Sequence, residues 1–323
     1  MDISVIIPVF NAESYVSEAV ESAISQPETA EVILIEDGSE DASLDVCIEL
    51  ADAHGKVRVL THQGGMNCGA SASRNIGLNN AKYEFVSFLD ADDFFLPGRF
   101  ATAAKIFASG ISIDGVYEAI GCSFENEEAK QYWKNLGHSD VTTIKPGIPS
   151  KLLFEKMSPI GSAGHCSLNG LTIRRSVLEK VGLFDETLVL GEDTAFYMKL
   201  ASCARLFPGQ IDVPVAMRRV HSSNRITKYR DKGRLWKDRL CIWLSVLRWL
   251  KQNKPQRDNA QENLILNKML WDIHAMVPIG ISRFKSSLLV LQRYFVIFQK
   301  EPSLIADHVF MTSVLKRLVW MIR

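Results

Sequence analysis

Short apolar runs alternate with amphipathic stretches along the first part of the chain. The runs Ile3–Val9, Glu31–Ile35, Val57–Leu60 and Phe85–Leu89 have the length and composition of buried strands in a parallel sheet. Between them apolar residues recur at helical spacing, as in the segment 16–24, for which Asn11 is a candidate N-cap. Strands that alternate with helices predict an α/β fold with a mostly parallel central sheet, flanked by helices and joined by right-handed crossovers.

The second half of the chain has a less regular pattern. Residues 123–165 are polar and irregular, which predicts a long loop. From about Lys228 onward the pattern is helical, and rich in Leu, Trp and basic residues. The other expected elements are a helix at 100–107, a strand at 116–120, a strand at 168–173, a helix at 175–181, an amphipathic helix that begins near Glu192 and a strand at 213–220.

Charge is distributed unevenly along the 323 residues. The formal net charge is zero, but from Arg230 to the end there are 17 Lys and Arg against 7 Asp and Glu, so this part carries 17 − 7 = +10 and the rest −10. Five of the six tryptophans also lie in this basic part. Such a segment favours either an amphipathic surface on an anionic membrane or a helical appendage that packs on the main domain or on a second subunit.

The six cysteines form no CxxC pair and no His/Cys cluster along the sequence, which indicates neither a zinc site nor a disulfide framework. Reduced thiols are typical of a cytosolic protein. The N-terminus lacks the basic region and cleavage site of a signal peptide, and no apolar run reaches the ~20 residues that span a bilayer. We therefore expect a cytoplasmic protein, with peripheral contact to the inner face of the membrane as an option.

Three acids, Asp90, Asp92 and Asp93, directly follow the apolar run Phe85–Leu89. Ligands of open α/β sheets bind at the carboxyl ends of such strands. Crowded carboxylates repel one another unless a cation or several donors compensate, and their hard oxygens suit Mg²⁺ or Mn²⁺. Alternatively, Asp92 or Asp93 caps the next helix in an acidic turn, and the residues alone leave both interpretations open.

Other polar residues also have two interpretations. The glycine-rich link Gln63–Gly69 lacks the GxGxxG spacing and follows the third strand, which excludes a dinucleotide-dependent oxidoreductase and leaves a tight turn or a close backbone approach. Asp37 suits a turn as well as a ligand, and Asp193 suits the first turn of a helix. Arg74 suits an anion site or a structural salt bridge.

Five stretches, taken together and in order, resemble the family 2 glycosyltransferases of GT-A fold. They are Val5–Asn11, Glu36–Ser39, Ala72–Gly77, Leu89–Asp93 and Gly191–Asp193. The resemblance covers residues 1–225 and implies a GT-A catalytic domain there, with a nucleotide-binding half (1–122) and an acceptor-binding half (123–225). Residues 226–323 would form a helical C-terminal region.

The resemblance also implies roles for individual residues. The expected donor-binding residues are Pro8, Val9, Phe10, Asn11, Asp37, Arg74, Asp90 and Ala91, with Asp37 on the nucleotide base, which is uracil in well-known donors of the family. Glu36 departs from the Asp-Asp pair usual before the glycine. Asp92 and, more loosely, His221 would hold Mn²⁺ or Mg²⁺. Asp193 would be the catalytic base, with Glu192 touching the acceptor or bracing the site and His165 lining the acceptor pocket or simply packing in a loop.

The expected chemistry needs these residue types. A metal neutralises the charge that develops on a departing nucleoside diphosphate, and a carboxylate accepts the proton of a sugar hydroxyl. One base and one displacement imply inversion at the anomeric carbon, because no second carboxylate nucleophile is required. We therefore expect an inverting, metal-dependent transfer from a UDP-linked sugar to a glycan or lipid-linked hydroxyl.

Two other functions fit parts of the pattern. The first is a non-catalytic nucleotide-sugar-binding or scaffold subunit of a polysaccharide assembly complex, against which the complete set of acids argues. The second is a nucleotidyltransferase, which would carry a glycine-rich, basic loop after the first strand, where Pro8–Asn11 stands instead. Relatives that build surface polysaccharides favour membrane contact by the C-terminal region; a homo-oligomer is possible, and no nucleic-acid partner is expected.

Overall fold

The computed structural model describes residues 1–221, 224, 235–253, 259–277 and 282–322. The chain divides into two compact units, Met1–Tyr229 and Arg230–Arg323. The domain boundary expected between residues 225 and 226 lies outside the described residues, as does the start of the helical pattern near Lys228.

The first unit is built on a seven-stranded sheet with the order β10-β6-β9-β4-β1-β2-β3. All neighbouring strands in it are parallel except β9, which runs antiparallel to β4 and β6. The prediction of an α/β fold with a mostly parallel sheet is therefore confirmed. The strands are β1 (Ile3–Val9), β2 (Thr29–Glu36), β3 (Val57–Thr61), β4 (Phe85–Phe88), β6 (Gly115–Tyr117), β9 (Leu171–Arg174) and β10 (Leu206–Pro208).

Helices flank this sheet and bury their apolar faces against it. In α1 the residues Val16, Ala19, Val20 and Ala23 are fully buried, as the spacing predicts. Each large aliphatic side chain removed from water in this way contributes about 1.5–3 kcal/mol before the entropy cost. The helices of the first unit, including those that pack elsewhere, are α1 (Val16–Ile24), α2 (Ser43–Ala53), α3 (Ala70–Asn80), α4 (Ala101–Phe107), α5 (Glu127–Asn135), α6 (Leu153–Lys156), α7 (Leu178–Val181) and α8 (Glu192–Cys203).

A second, four-stranded sheet has the order β5-β11-β7-β8. Its strands are β5 (Phe94–Phe95), β7 (Ile120–Phe124), β8 (Val141–Thr142) and β11 (Ala216–Val220). β11 pairs antiparallel with β5, with Met217 opposite Phe94. This pairing brings the chain after β11 back to the acidic stretch that precedes β5.

The single strand expected at 116–120 is wrong. The chain instead changes sheets there, between β6 and β7, at Glu118. The Glu118 carboxylate is fully buried and lies 2.7 Å from the equally buried Arg99 guanidinium. The sequence does not reveal this change of sheet, because all residues from Val116 to Ile120 are buried, whichever sheet they belong to.

Two local predictions are also corrected. The expected loop at 123–165 contains α5, and Asn126 Oδ1 caps this helix by accepting a hydrogen bond from the Ala129 N–H at 2.8 Å. Asn11 does not cap α1, whose N-cap is Tyr15. Asn11 has a φ of +48° and its Oδ1 accepts the Glu40 N–H at 2.8 Å, so the side chain fixes a loop.

The second unit is helical, as predicted. Its helices are α9 (Leu235–Gln252), α10 (Asn259–Ala275), α11 (Arg283–Lys300) and α12 (His308–Ile322). Trp243 is buried and its indole N–H donates to Asp272 Oδ2 at 2.7 Å. Among the described residues, no helix combines the length and the apolar character needed to cross a bilayer. On α11 the side chains of Leu288, Leu291 and Phe295 are about half exposed and lie on one helix face.

Candidate active site

The acidic loop between β4 and β5 holds Asp90 and Asp92 partly exposed and Asp93 buried. Asp93 Oδ1 accepts the Arg219 N–H at 2.7 Å, and Asp93 Oδ2 accepts Asn169 Nδ2 at 2.5 Å. Burial and the charges of Asp92 and Asp90 raise the pKa of Asp93 well above its ordinary value. The capping interpretation of this loop is wrong, because the element that follows is the strand β5 rather than a helix.

Asn169 fixes the loop from the opposite side. Its side chain is fully buried, and its Oδ1 accepts the Asp90 N–H at 3.1 Å while its Nδ2 binds Asp93. The Asn169 carbonyl accepts Arg99 Nε at 2.9 Å. Sequence analysis missed this role because a single Asn before a strand has no distinguishing pattern.

Arg74 joins the acidic loop to the start of α8. Its Nη2 lies 2.7 Å from Asp90 Oδ1 and its Nη1 lies 3.2 Å from Glu192 Oε1. The guanidinium is buried and also lies 5.6 Å from the centre of the Phe184 ring. The Arg74 guanidinium therefore contacts acids from two motifs that are distant in the sequence. It forms salt bridges, and these salt bridges lie within the candidate site.

Asp193 lies beside this bridge in the first turn of α8. Its Oδ1 accepts the Thr194 N–H at 2.6 Å. Burial, followed by the charge of Glu192, raises the pKa of Asp193, and the positive charges of Arg74 and Arg218 oppose that shift. A carboxylate with a raised pKa is a stronger proton acceptor than an ordinary aspartate.

Asn75 anchors the segment that leads into α8. Its Nδ2 donates to the Phe184 carbonyl at 3.0 Å, and its Oδ1 accepts the Phe184 N–H at 2.9 Å. The Phe184 ring stacks on Phe196 with centroids 4.1 Å apart. Adjacent residues therefore have complementary contacts: Arg74 binds the carboxylates of Asp90 and Glu192, and Asn75 binds the backbone of the segment that leads to Glu192.

Asp92 and His221 come together through the second sheet. Asp92 Oδ2 lies 3.2 Å from His221 Nε2 and 3.1 Å from Asn224 Nδ2. Arg219 Nε donates to the Asp92 carbonyl at 3.0 Å. The Arg219 guanidinium therefore holds the acidic loop in place. A carboxylate oxygen beside an imidazole nitrogen is a donor set that fits a divalent cation such as Mn²⁺.

Asp37 is held by the glycine-rich loop after β3. Its Oδ1 accepts the Cys68 N–H at 2.6 Å and its Oδ2 accepts the Gly69 N–H at 2.9 Å. Gly38 has a φ of +70°, and a Cβ there would lie 2.7 Å from the Gly65 oxygen and from the Asn67 nitrogen. The glycine is thus required for the close approach of two loops.

The end of β1 lies beside Asp37. The Val9 carbonyl accepts the Asp37 N–H at 2.9 Å, while the Val9 side chain is buried in the core. Ala91 is also a core residue, so these two positions can offer a ligand only main-chain atoms. Phe10 is 47% exposed, and Pro8 is half-buried. An exposed aromatic ring next to a fixed carboxylate suits a planar ligand.

Two further residues from the sequence analysis, His165 and Glu36, lie on different segments. His165 is exposed on the segment before β9, next to the buried Cys166. Glu36, in place of the usual aspartate, accepts the Ser39 N–H at 2.5 Å and so fixes the turn that carries Asp37. The ends of β1, β2 and β4 lie at one edge of the sheet, because these strands are parallel neighbours.

Known proteins share sequence with this chain. The profile of Glycosyl transferase family 2 matches residues 4–182. The succinoglycan biosynthesis protein ExoU of Rhizobium meliloti is 32% identical over 216 residues, which are 63% of this chain and 58% of that protein. The minor teichoic acid biosynthesis protein GgaA of Bacillus subtilis is 28% identical over 204 residues, 61% of this chain and 42% of that protein. The chain thus spans about half the length of these relatives.

A solved structure shares the fold. The 1–349 fragment of S. aureus TarS in complex with UDP superposes with a TM-score of 0.57 at 21% identity, covering 89% of this chain and 75% of that one. The same fragment has also been solved with UDP-GlcNAc, with a TM-score of 0.58 at 18% identity.

Proposed function

The chain belongs to glycosyltransferase family 2, and from this premise we propose that it transfers a sugar from a UDP-linked donor to a hydroxyl of a glycan or lipid-linked acceptor. The transfer inverts the anomeric carbon and depends on Mn²⁺ or Mg²⁺. The observation that carries the proposal is the Arg74 bridge, because it holds Asp90 of the acidic loop and Glu192 of α8 at 2.7 and 3.2 Å from one guanidinium.

Asp193 is the base in this proposal. It accepts the proton of the acceptor hydroxyl as that oxygen attacks, and its raised pKa favours proton transfer at the moment of bond formation. Glu192 is occupied by Arg74 and braces the start of α8. A single base without a second carboxylate nucleophile leads to inversion.

The donor half of the site follows from the sheet edge. Asp37 accepts a hydrogen bond from the base, and the exposed Phe10 ring packs on it. Asp92 and His221 would hold the divalent cation, which when bound neutralises charge on the diphosphate. The UDP complex of TarS supports uridine as the nucleoside, and the roles of ExoU and GgaA in polymer biosynthesis support a glycan or lipid-linked acceptor.

The helical unit provides a surface for membrane contact in this proposal. Leu288, Leu291 and Phe295 form an exposed apolar stripe on α11, and the region from Arg230 carries a net charge of +10 (17 − 7). Apolar insertion and attraction to anionic lipids act together at such a surface. This contact would keep the protein beside a lipid-linked acceptor.

The variant Asp193→Asn tests the proposal. We expect kcat to fall by about 10²- to 10⁴-fold, the range for loss of a general base, while the Kd for UDP in the presence of Mn²⁺ stays within about twofold of wild type. UDP release from a panel of UDP-sugars with added acceptors measures turnover, and calorimetry measures UDP binding.

Asp185→Asn is the matched control. Asp185 lies in the segment that leads to α8, and its Oδ1 accepts the Thr187 N–H at 3.0 Å, much as Asp193 binds Thr194. This variant should keep wild-type turnover. Full turnover in Asp193→Asn would remove it as the base, and UDP binding by the wild type with no transfer or hydrolysis would favour a non-catalytic nucleotide-sugar-binding subunit.

A further inference from the structure

Asp37, His62 and Cys68 form a second cluster of ligand atoms, separate from the pair Asp92 and His221. One side-chain atom of each lies within 4.8 Å of the other two. Asp37 follows β2, His62 follows β3 and Cys68 lies in the glycine-rich loop. Folding therefore creates a His/Cys cluster that the spacing along the sequence does not reveal.

The distance between His62 and Asp37 matches the distance between two ligands of a tetrahedral metal site. His62 Nε2 lies 3.3 Å from Asp37 Oδ1. Two ligands that each lie about 2.0–2.1 Å from a tetrahedral Zn²⁺ are about 3.3 Å apart. A thiolate at about 2.3 Å from the metal would lie about 3.6 Å from the other ligands. The Cys68 side chain is exposed, so its χ1 angle can change when a metal ion binds.

The loop around the cluster supplies supporting contacts. Asp37 Oδ2 is fixed by the Gly69 N–H at 2.9 Å, which orients the carboxylate. Ser73 Oγ lies 2.9 Å from His62 Nε2 and donates to the Gly69 carbonyl at 3.1 Å. The Gly69 contact restrains the Asp37 carboxylate, as outer-sphere contacts do in metal sites. His62 Nε2 faces both Ser73 Oγ and Asp37 Oδ1, so a bound metal ion would replace its contact with Ser73.

The donor set selects a different metal from that at Asp92. Each cluster contains a carboxylate and an imidazole, and only the second contains a thiol. A thiolate favours Zn²⁺ over the harder ions Mg²⁺ and Mn²⁺. Three protein ligands would leave the fourth position of a tetrahedral site to water.

We propose that Asp37, His62 and Cys68 bind Zn²⁺, and that bound Zn²⁺ competes with the nucleotide base for Asp37. The metal site stands on the cluster alone, whereas the competition rests on the proposed function, in which Asp37 binds the base. Zinc would then act as an inhibitor, distinct from the divalent cation that supports transfer.

Cobalt substitution tests the metal site. Metal-free protein is titrated with Co²⁺, and a thiolate-to-cobalt charge-transfer band is recorded, which Zn²⁺ should abolish by displacement. We expect the band in wild type and in the control Cys203→Ser, and its loss in Cys68→Ser and His62→Gln. Cys68 is exposed, so its substitution leaves the fold intact and the test does not depend on the buried His62. Absence of the band, or an equal band in Cys68→Ser, overturns the metal site.

Nucleotide affinity tests the competition. The Kd for UDP is measured with Mg²⁺, with and without one equivalent of Zn²⁺. We expect Zn²⁺ to weaken binding in wild type on the order of tenfold or more, since a hydrogen bond to a charged group is lost, and to leave Cys68→Ser unchanged. If the cobalt band forms but Zn²⁺ does not weaken UDP binding, the competition is overturned. If UDP fails to bind even without Zn²⁺, the proposed function fails while the cobalt band still decides the metal site.

Discussion

Replacement of Arg74 by Lys is the sharpest test of the bridge between the two acidic motifs. Lys keeps the positive charge but presents a compact ammonium, which cannot match the guanidinium fork that reaches Asp90 and Glu192 from separate nitrogens. We therefore expect Arg74→Lys to keep one of the two contacts and to lose the other.

The size of the effect follows from the lost contact. A hydrogen bond to a charged group contributes about 1.5–3 kcal/mol, and the acid left behind is buried if it is Glu192. If the lost contact acts in the transition state, this corresponds to a fall in kcat/KM of about 10- to 150-fold. Initial rates of UDP release over a range of donor concentrations measure it, and thermal unfolding reports the accompanying loss of stability.

Arg58→Lys provides a matched control. Arg58 also joins two elements through its guanidinium, with Nη2 at 2.8 Å from Glu31 Oε2 and 2.9 Å from the Asn80 carbonyl. Its partner Glu31 lies near the start of β2, whereas Asp37 directly follows the end of that strand, so kcat/KM should be unaffected. A value for Arg74→Lys within about twofold of wild type, or equal losses in the two variants, would refute the reasoning.

Three further outcomes are expected. Because burial raises the pKa of Asp193, kcat/KM should rise with pH along a limb whose midpoint lies above the ordinary aspartate value; a lower midpoint would point to another base. Gly38→Ala should reduce the free energy of unfolding, measured in urea, by about 1–3 kcal/mol, because the new Cβ would lie 2.7 Å from backbone atoms. In the control Gly55→Ala the new Cβ meets no atom within 4 Å and should not destabilise the protein. Equal stabilities of the two variants would contradict the close approach of the loops at Gly38. Phe295→Glu should weaken cosedimentation with anionic vesicles on the order of tenfold and the similarly exposed Val213→Glu should not, so equal binding of both would exclude α11 as the contact surface.

The sequence was sufficient for the framework of the fold. The apolar run Ile3–Val9 and the helical spacing at 16–24 both reflect which residues are buried. A central strand is buried on both faces and a flanking helix on one face, so the two patterns distinguish strand from helix. It was insufficient where burial is uniform, as at Glu118, and where a helix is mostly exposed, as α5 is apart from Trp133. In such segments the apolar pattern carries no information about the boundary.

Asp37, Asp90 and Asp92 could be predicted because they follow strand ends, and Asp193 because the order of the motifs resembles a known family. Their supports could not be, since Asn169 and Asn75 act through contacts with residues far away along the chain, and neither has a distinctive neighbourhood. The same reason applies to His62 and Cys68, which approach Asp37 only when the loop after β3 has folded against it. The local sequence shows which reactive side chains are present, but only the tertiary structure shows which of them lie close together.

The antiparallel pairing of β11 with β5 has a consequence for biosynthesis. This late strand brings His221 to Asp92, so a nascent chain that has emerged only through α8 contains Asp37, Asp92 and Asp193 but lacks the contact between Asp92 and His221. Domains generally fold as units during synthesis, and pairings between distant segments form slowly. In the proposed function, the metal site at Asp92 would thus be completed only near the end of translation of the first unit.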